Sequence, residues 1–218
     1  LFFVCFYFSA DLMRLLSLPL YEALPAGSRP IFTDQAGAFF TLTKVSFMTA
    51  VLISMPWILY QAWAFVAPGL YKHEQKLALP LILSGTVLFL LGMAFCYFVV
   101  FNTVFEFISG FAPQSITPAP DIEAYVSFVI TMFMAFGITF EVPVAVVLLV
   151  KSGMVSVEKL RGARGYVIVG AFIIAAVVTP PDVISQFMLA VPLCVLFEVG
   201  LLVAGRMKPS EREKDAED

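Results

Sequence analysis

The sequence predicts an all-α integral membrane protein, and its composition and the length of its apolar runs carry that prediction. Of its 218 residues, 61% are hydrophobic and 13% are charged, and the mean hydropathy is +0.95. A soluble domain is roughly half apolar and a quarter charged. This chain therefore has too little polar surface to cover itself in water, and its apolar runs are candidates for membrane-spanning helices.

We predict six transmembrane helices in one domain over residues 1–204. The first apolar run, LFFVCFYFSA at 1–10, is shorter than the roughly 20 helical residues that cross a bilayer core. We interpret it as the outer half of a truncated first helix rather than a signal peptide. Four further runs are long enough to span: 47–66, 77–104, 125–150 and 183–204.

The fifth run, 166–178, is shorter than a bilayer core. Its thirteen residues rise about 20 Å against roughly 30 Å of hydrocarbon, and the sequence TPPD joins it to the last run. Such a hairpin is either recessed in a locally thinned bilayer or re-entrant. Because a charged segment follows each end of the pair, we favour two short spans as the fifth and sixth helices.

The distribution of lysine and arginine predicts the orientation of the spans. Ten of these residues fall in one set of alternate connections: Lys72, Lys76, Lys151, Lys159, Arg161, Arg164, Arg206, Lys208, Arg212 and Lys214. Three fall in the other set: Arg14, Arg29 and Lys44. Because cytoplasmic loops are enriched in these residues, the first set and both termini are predicted to be cytoplasmic. Residues 205–218 form a charged cytoplasmic tail that we expect to be disordered.

Residues 11–43 are predicted to form a long outer loop with a short amphipathic segment, DLMRLLSLPLYEALP. Its apolar face contains Leu12, Leu15 and Leu16. That face lies on the membrane, covers the helix bundle, or packs within the loop, and the sequence leaves these alternatives open.

A single acid, Glu141, lies inside the apolar stretch AFGITFEVPVAVVLLV at 135–150. It is about 14 Å from Val150, the inner end of the predicted span, and therefore close to the midplane. An acid there costs about 2.5–3.5 kcal/mol on insertion scales. We expect Glu141 to face a polar cavity, to pair with a polar group, or to be protonated, and Pro143 should kink the helix beside it.

Three other groups of polar residues are candidates for a role. The inner loop APGLYKHEQK at 67–76 contains Glu74, which could accept hydrogen bonds from a guanidinium or could simply be solvated. Glu198 could reach the interface or pair with Arg206. In the hairpin VVTPPDVISQ, Asp182 is placed to cap the last helix, and Gln186 should hydrogen-bond to a neighbouring helix.

The sequence disfavours enzymes, metal sites and nucleic-acid binding. It has no H-E-x-x-H, P-loop or G-x-S-x-G motif, no basic stripe, and one histidine. Cys5, Cys96 and Cys194 are far apart in apolar runs and are interpreted as packing residues. We expect no cofactor.

Three ordered blocks resemble the TatC family, the multispan component of the twin-arginine protein translocase. They are ILYQAWAFVAPGLYKHEQK at 58–76, MAFGITFEVPVAVVLL at 134–149 and VGAFIIAAVVTPPDVISQ at 169–186. The resemblance implies a six-helix, concave, glove-like bundle with both termini cytoplasmic and short fifth and sixth helices. That agrees with the topology predicted from the apolar runs.

The resemblance also implies roles for particular residues. A cytoplasmic surface would bind the paired arginines of a signal peptide through Glu74, with the adjacent residues Phe65, Pro68, Tyr71 and Lys72. The family's amino-terminal cytoplasmic segment, with a second arginine-contacting acid, is not in this sequence, so these residues would be half of the site. Glu141 matches a buried acid on the concave face. Thr179 and Gln186 match positions where the single-span partners TatA and TatB dock.

The function that the resemblance implies is that of a receptor and assembly platform in a bacterial inner (plasma) membrane. It would bind twin-arginine signals of folded precursors, oligomerise with copies of itself, and recruit TatA and TatB for export driven by the proton-motive force. The alternative is a proton- or ion-coupled secondary transporter that uses Glu141.

Overall fold

The computed structural model of the chain describes residues 1–18, 31, 34–66, 78–104, 121–179 and 182–207. Its regular elements in these ranges are helices, and Ile31 and Asp121 form an isolated β-bridge. The helices are α1 (Phe2–Tyr7), α2 (Ser9–Leu16), α3 (Gln35–Ile53), α4 (Met55–Val66), α5 (Ala78–Phe95), α6 (Ile122–Phe140), α7 (Val142–Lys151), α8 (Val157–Gly162), α9 (Arg164–Val178) and α10 (Val183–Arg206). A π-helical turn, Cys96–Val100, continues α5.

Four helical stretches in the described ranges are long and apolar enough to cross a membrane: Ala36–Ile53, Leu79–Val104, Ile122–Lys151 and Val183–Arg206. Helix α9 is apolar but has only 15 residues. These helices confirm the expectation of an all-helical, multi-pass membrane protein. Six spans and their orientation stay predictions.

The predicted outer loop is wrong for residues 35–43, because α3 begins at Gln35, twelve residues before the predicted span 47–66. Asp34 caps α3 by accepting a hydrogen bond from the Ala36 N–H at 3.2 Å. The helix accommodates the polar residues of this stretch. The Thr43 hydroxyl, for example, donates to the Phe39 carbonyl at 2.9 Å.

The first part of the amphipathic segment lies in α2, which packs against α3, and its part after residue 18 lies outside the described residues. Leu12 and Leu16 are partly buried, whereas Leu15 is 62% exposed. Packing against a helix is one of the three alternatives that the sequence left open. The hydroxyl of Ser17, directly after α2, donates to the Met13 carbonyl at 2.8 Å.

The described residues of 1–54 and 95–134 form one compact unit. Fully buried Phe101 packs against Phe133, with ring centroids 5.4 Å apart. The Tyr125 hydroxyl donates to the Leu16 carbonyl at 3.2 Å. An ion pair of 3.1 Å joins Lys44 of α3 to Glu123 of α6.

The described residues of 55–94 and 135–207 belong to a second compact unit, in which α10 packs along α7 and α9. Its core contains six buried apolar residues: Val146, Val147, Val150, Phe197, Leu201 and Ala204. Gly200 lets α10 approach α7 closely, because a Cβ there would lie 2.9 Å from the Cα of Pro143. This packing holds the segment around Glu141 and the α9–α10 hairpin.

Candidate functional site

Glu141 lies at an interruption between α6, which ends at Phe140, and α7, which begins at Val142. Pro143 has no N–H, so it cannot donate to the Thr139 carbonyl as a regular helix would require. The Glu141 N–H instead donates to the Ile138 carbonyl, three residues back, at 3.0 Å. The interruption that Pro143 predicts is confirmed, and it places the acid at the break itself.

The Glu141 carboxylate lies against α5. A Cβ added to Gly85 would be 2.8 Å from Glu141 Oε2 and 3.4 Å from Oε1. Glu141 Oε1 is buried and has no hydrogen-bond partner among the described residues. The carboxylate therefore uses space that only a glycine leaves, and part of its hydrogen-bonding capacity is open to a proton, a water molecule or another chain.

Glu141 has no salt-bridge partner in the described part of the chain, where Lys44 pairs with Glu123 and Arg164 pairs with Glu198. No lysine or arginine in that part of the chain therefore offsets the cost of this intramembrane acid. The described residues also contain no group of acids, cysteines and histidine that could hold a metal ion. The arrangement is suited to a wet or polar spot within an apolar span.

The α9–α10 hairpin confirms two predicted contacts. Asp182 caps α10, since its Oδ1 accepts a hydrogen bond from the Ser185 N–H at 2.7 Å. Gln186 Nε2 donates to the Phe172 carbonyl of α9 at 3.2 Å. Thr179 is buried, and its hydroxyl donates to the Ala175 carbonyl at 2.8 Å. Thr179 and Gln186, which the resemblance assigns to partner docking, therefore each make a hydrogen bond within the hairpin.

Glu198 pairs with Arg164 rather than with Arg206, so the predicted pairing is wrong. Both guanidinium–carboxylate distances, Nε to Oε1 and Nη2 to Oε2, are 2.7 Å. Arg206 is eight residues further along α10, a rise of about 12 Å, which is too far for a pair within one helix. Counting outward from the hairpin would have found the partner: Arg164 is 15 residues before Thr179, and Glu198 is 16 residues after Asp182.

The predicted signal-binding residues are mostly outside the described ranges. Glu74, Lys72, Tyr71 and Pro68 lie there, and Phe65 lies in the last turn of α4. Their assignment stays a prediction. What the sequence reading missed is Gly85, although Gly85 and Gly92 are seven residues apart and so share one face of α5, as small residues do where helices approach closely.

Comparison with known proteins identifies the family. A family model described as Sec-independent protein translocase protein (TatC) matches residues 1–192. The TatC of Halothiobacillus neapolitanus is 54% identical over 204 residues, which are 94% of this chain and 56% of that protein. The TatC of Escherichia coli K12 is 52% identical over 200 residues, 91% of this chain and 78% of that protein.

A solved structure is also similar. The crystal structure of a twin-arginine translocase receptor, TatC, superposes with a TM-score of 0.82 at 35% identity, covering 94% of this chain and 90% of that one. The matches are named as protein translocase components, and one of them as a receptor. The chain spans little more than half of the Halothiobacillus protein. It belongs to the TatC family of Sec-independent protein translocase proteins.

Proposed function

We propose that this protein is the receptor subunit of a twin-arginine translocase in a bacterial inner membrane. It binds the signal peptides of folded precursors at its cytoplasmic face and assembles with TatA, TatB and further copies of itself for export driven by the proton-motive force. The observation that carries the proposal is the likeness to the solved receptor over nearly the whole chain. The relatives give no support to a secondary transporter.

The proposed membrane arrangement has six spans with both termini cytoplasmic. The four long apolar helices supply four of these spans, and α9 and the beginning of the chain supply the others. The excess of lysine and arginine in alternate connections supports the orientation.

The proposed signal-peptide site is centred on Glu74, with Lys72, Tyr71, Phe65 and Pro68 on the same surface. A carboxylate accepts two parallel hydrogen bonds from one planar guanidinium, whereas an ammonium cannot make that paired contact. An acid at the cytoplasmic surface would therefore favour arginine over lysine in the signal.

Replacing Glu74 with alanine is expected to weaken binding of a twin-arginine signal peptide by roughly 10- to 100-fold. A hydrogen bond to a charged group contributes about 1.5–3 kcal/mol, and that contribution is lost in the variant. The measurement is peptide affinity for the full chain in nanodiscs, with Arg-Arg and Lys-Lys peptides, and with His73→Ala as the control from the same loop. If the wild type and the variants bound both peptides with equal affinity, this loop would not be the site that recognises the signal.

The proposed docking face for TatA and TatB is the outer end of the α9–α10 hairpin, with Thr179 and Gln186. A polar group in lipid gives a partner helix something to recognise. Gln186 keeps some exposed surface, and its amide oxygen is an acceptor that its bond to Phe172 does not use. Thr179, which is buried, would contribute through the shape of the hairpin rather than by direct contact.

A photo-crosslinker at position 186 is expected to form adducts with TatA or TatB in membranes that contain the whole translocase. The same probe at Leu202, which is 58% exposed near the other end of α10, serves as the control and should give few adducts. Adducts that never contain either partner, or equal yields from both positions, would contradict docking at this end of the hairpin.

Glu141 is proposed to form a polar spot that hydrates or thins the bilayer beside the apolar part of the bound signal peptide. Its supports are the interruption of the span at that residue and the carboxylate oxygen that has no partner among the described residues.

A further inference from the structure

We propose that Gly85 is a positioning residue for the Glu141 carboxylate. Its missing side chain lets the carboxylate lie on the α5 backbone, and this contact sets where the intramembrane acid is presented. The inference rests on the proposed function of Glu141 and adds a second residue, on a different helix, to that site.

The geometry is direct. An ideal Cβ on Gly85 would lie 2.8 Å from Glu141 Oε2, closer than the 3.0 Å that real Cβ atoms keep from other heavy atoms. The Cβ position replaces a Cα hydrogen of glycine, so Oε2 lies in the direction of a Cα–H group. Such contacts are weak hydrogen bonds and help to orient a carboxylate whose Oε1 has no hydrogen-bond partner among the described residues.

Leu59 of α4 bounds the same space. Its Cδ1 would lie 3.1 Å from the added Cβ, and it is an apolar group. Leu59 and the Glu141 carboxylate therefore border the same space beside Gly85, and the apolar Leu59 side chain offers the carboxylate no hydrogen-bond donor. Access of water or of another polar group to Oε1 then depends on where Gly85 allows the carboxylate to rest.

Alanine at position 85 should move Glu141 rather than unfold the chain. The atoms that the new methyl group meets are the ends of two flexible side chains, Glu141 and Leu59, and not backbone. The carboxylate can rotate away at little cost to the packing of α5. Its position, hydration and exposure to a partner then change.

The experiment is a double-mutant cycle of Gly85→Ala and Glu141→Asp in the full chain, assembled with its partners. Aspartate is shorter by one methylene, about 1.5 Å, so its carboxylate should not reach the new methyl group. Two readouts are measured: precursor export, and the infrared carboxyl band of Glu141, isolated by subtracting the spectrum of Glu141→Gln.

We expect Gly85→Ala to shift the Glu141 band and to reduce export. We expect it to have little effect in the Glu141→Asp background, which is a coupling of roughly three- to tenfold between the two changes. Gly170→Ala in α9 is the matched control, because no atom of the described residues lies within 4 Å of a Cβ added there. It should change neither readout.

An unshifted Glu141 band in folded Gly85→Ala protein would overturn the inference. Equal losses of export in the Glu141 and Glu141→Asp backgrounds would also overturn it, since they would point to helix packing. Neither outcome tests the proposed receptor function. That proposal would be contradicted by a different result, namely unchanged signal binding and export in the Glu74 and Glu141 single variants.

Discussion

Export of twin-arginine precursors is expected to fall roughly tenfold or more when Glu141 is replaced with alanine, while signal-peptide binding stays unchanged. An acid at this depth costs about 2.5–3.5 kcal/mol on insertion scales, so the variant should be at least as stable in the membrane as the wild type. Loss of activity without loss of folded protein would identify a residue retained for function at a cost in stability.

The measurement combines export into energised membrane vesicles with hydrogen–deuterium exchange of the residues around the α6–α7 interruption. Glu158→Ala, which removes an exposed acid of α8, is the control and should leave both unchanged. Glu141→Gln keeps the size and polarity of the side chain, so it should retain more export than alanine if hydration is the role. Wild-type export and exchange in Glu141→Ala would rule out a polar spot at this position.

Gly92→Ala is expected to destabilise the folded protein by about 1–3 kcal/mol, the cost of overpacking a well-packed interior. A Cβ there would lie 2.6 Å from the backbone oxygen of Phe136 and 2.9 Å from Cγ of the Phe140 ring. The backbone of α6 cannot rotate away as a side chain can. Helices α5 and α6 must therefore separate, and both the packing and the position of nearby Glu141 are affected.

Unfolding of purified protein in mixed micelles, followed by helical circular dichroism, measures this effect. Gly170→Ala is again the control. Its added methyl group meets no described residue within 4 Å, and the higher helix propensity of alanine should keep stability at or above that of the wild type. Equal stabilities of the two variants would contradict a close approach of α5 and α6 at Gly92.

The features that could be predicted from sequence depend on local chemistry. The composition of the chain predicts membrane helices, Pro143 predicts the interruption of its span, and Asp182 predicts a helix cap, because each acts on its own neighbours. Residues 35–43 are predicted to lie in a loop, whereas they lie in α3. The threonine at position 43 does not interrupt the helix, because its hydroxyl donates to a carbonyl of the same helix.

The features that could not be predicted depend on which helices are neighbours. The partner of Glu198 lies 34 positions earlier in the chain, and the contact between Glu141 and Gly85 joins residues 56 positions apart. Neither separation can be derived from the 3.6-residue repeat of one helix, because the two residues of each pair lie on different helices. Only the first could have been found by counting from the hairpin, since the second depends on how α5 packs against the α6–α7 interruption.

The α9–α10 hairpin is fastened at two levels, by Gln186 to the Phe172 carbonyl near its turn and by Arg164 to Glu198 further along. Two contacts at different positions along the helices prevent α9 from sliding along α10 or rotating against it. A single contact would leave the two helices free to rotate about that point. Adding or deleting one residue of α10 between Gln186 and Glu198 would shift one contact relative to the other by about 1.5 Å along the helix and about 100° around it, so both contacts could not form together. The number of residues between the two contacts therefore matters as much as the residues that make them.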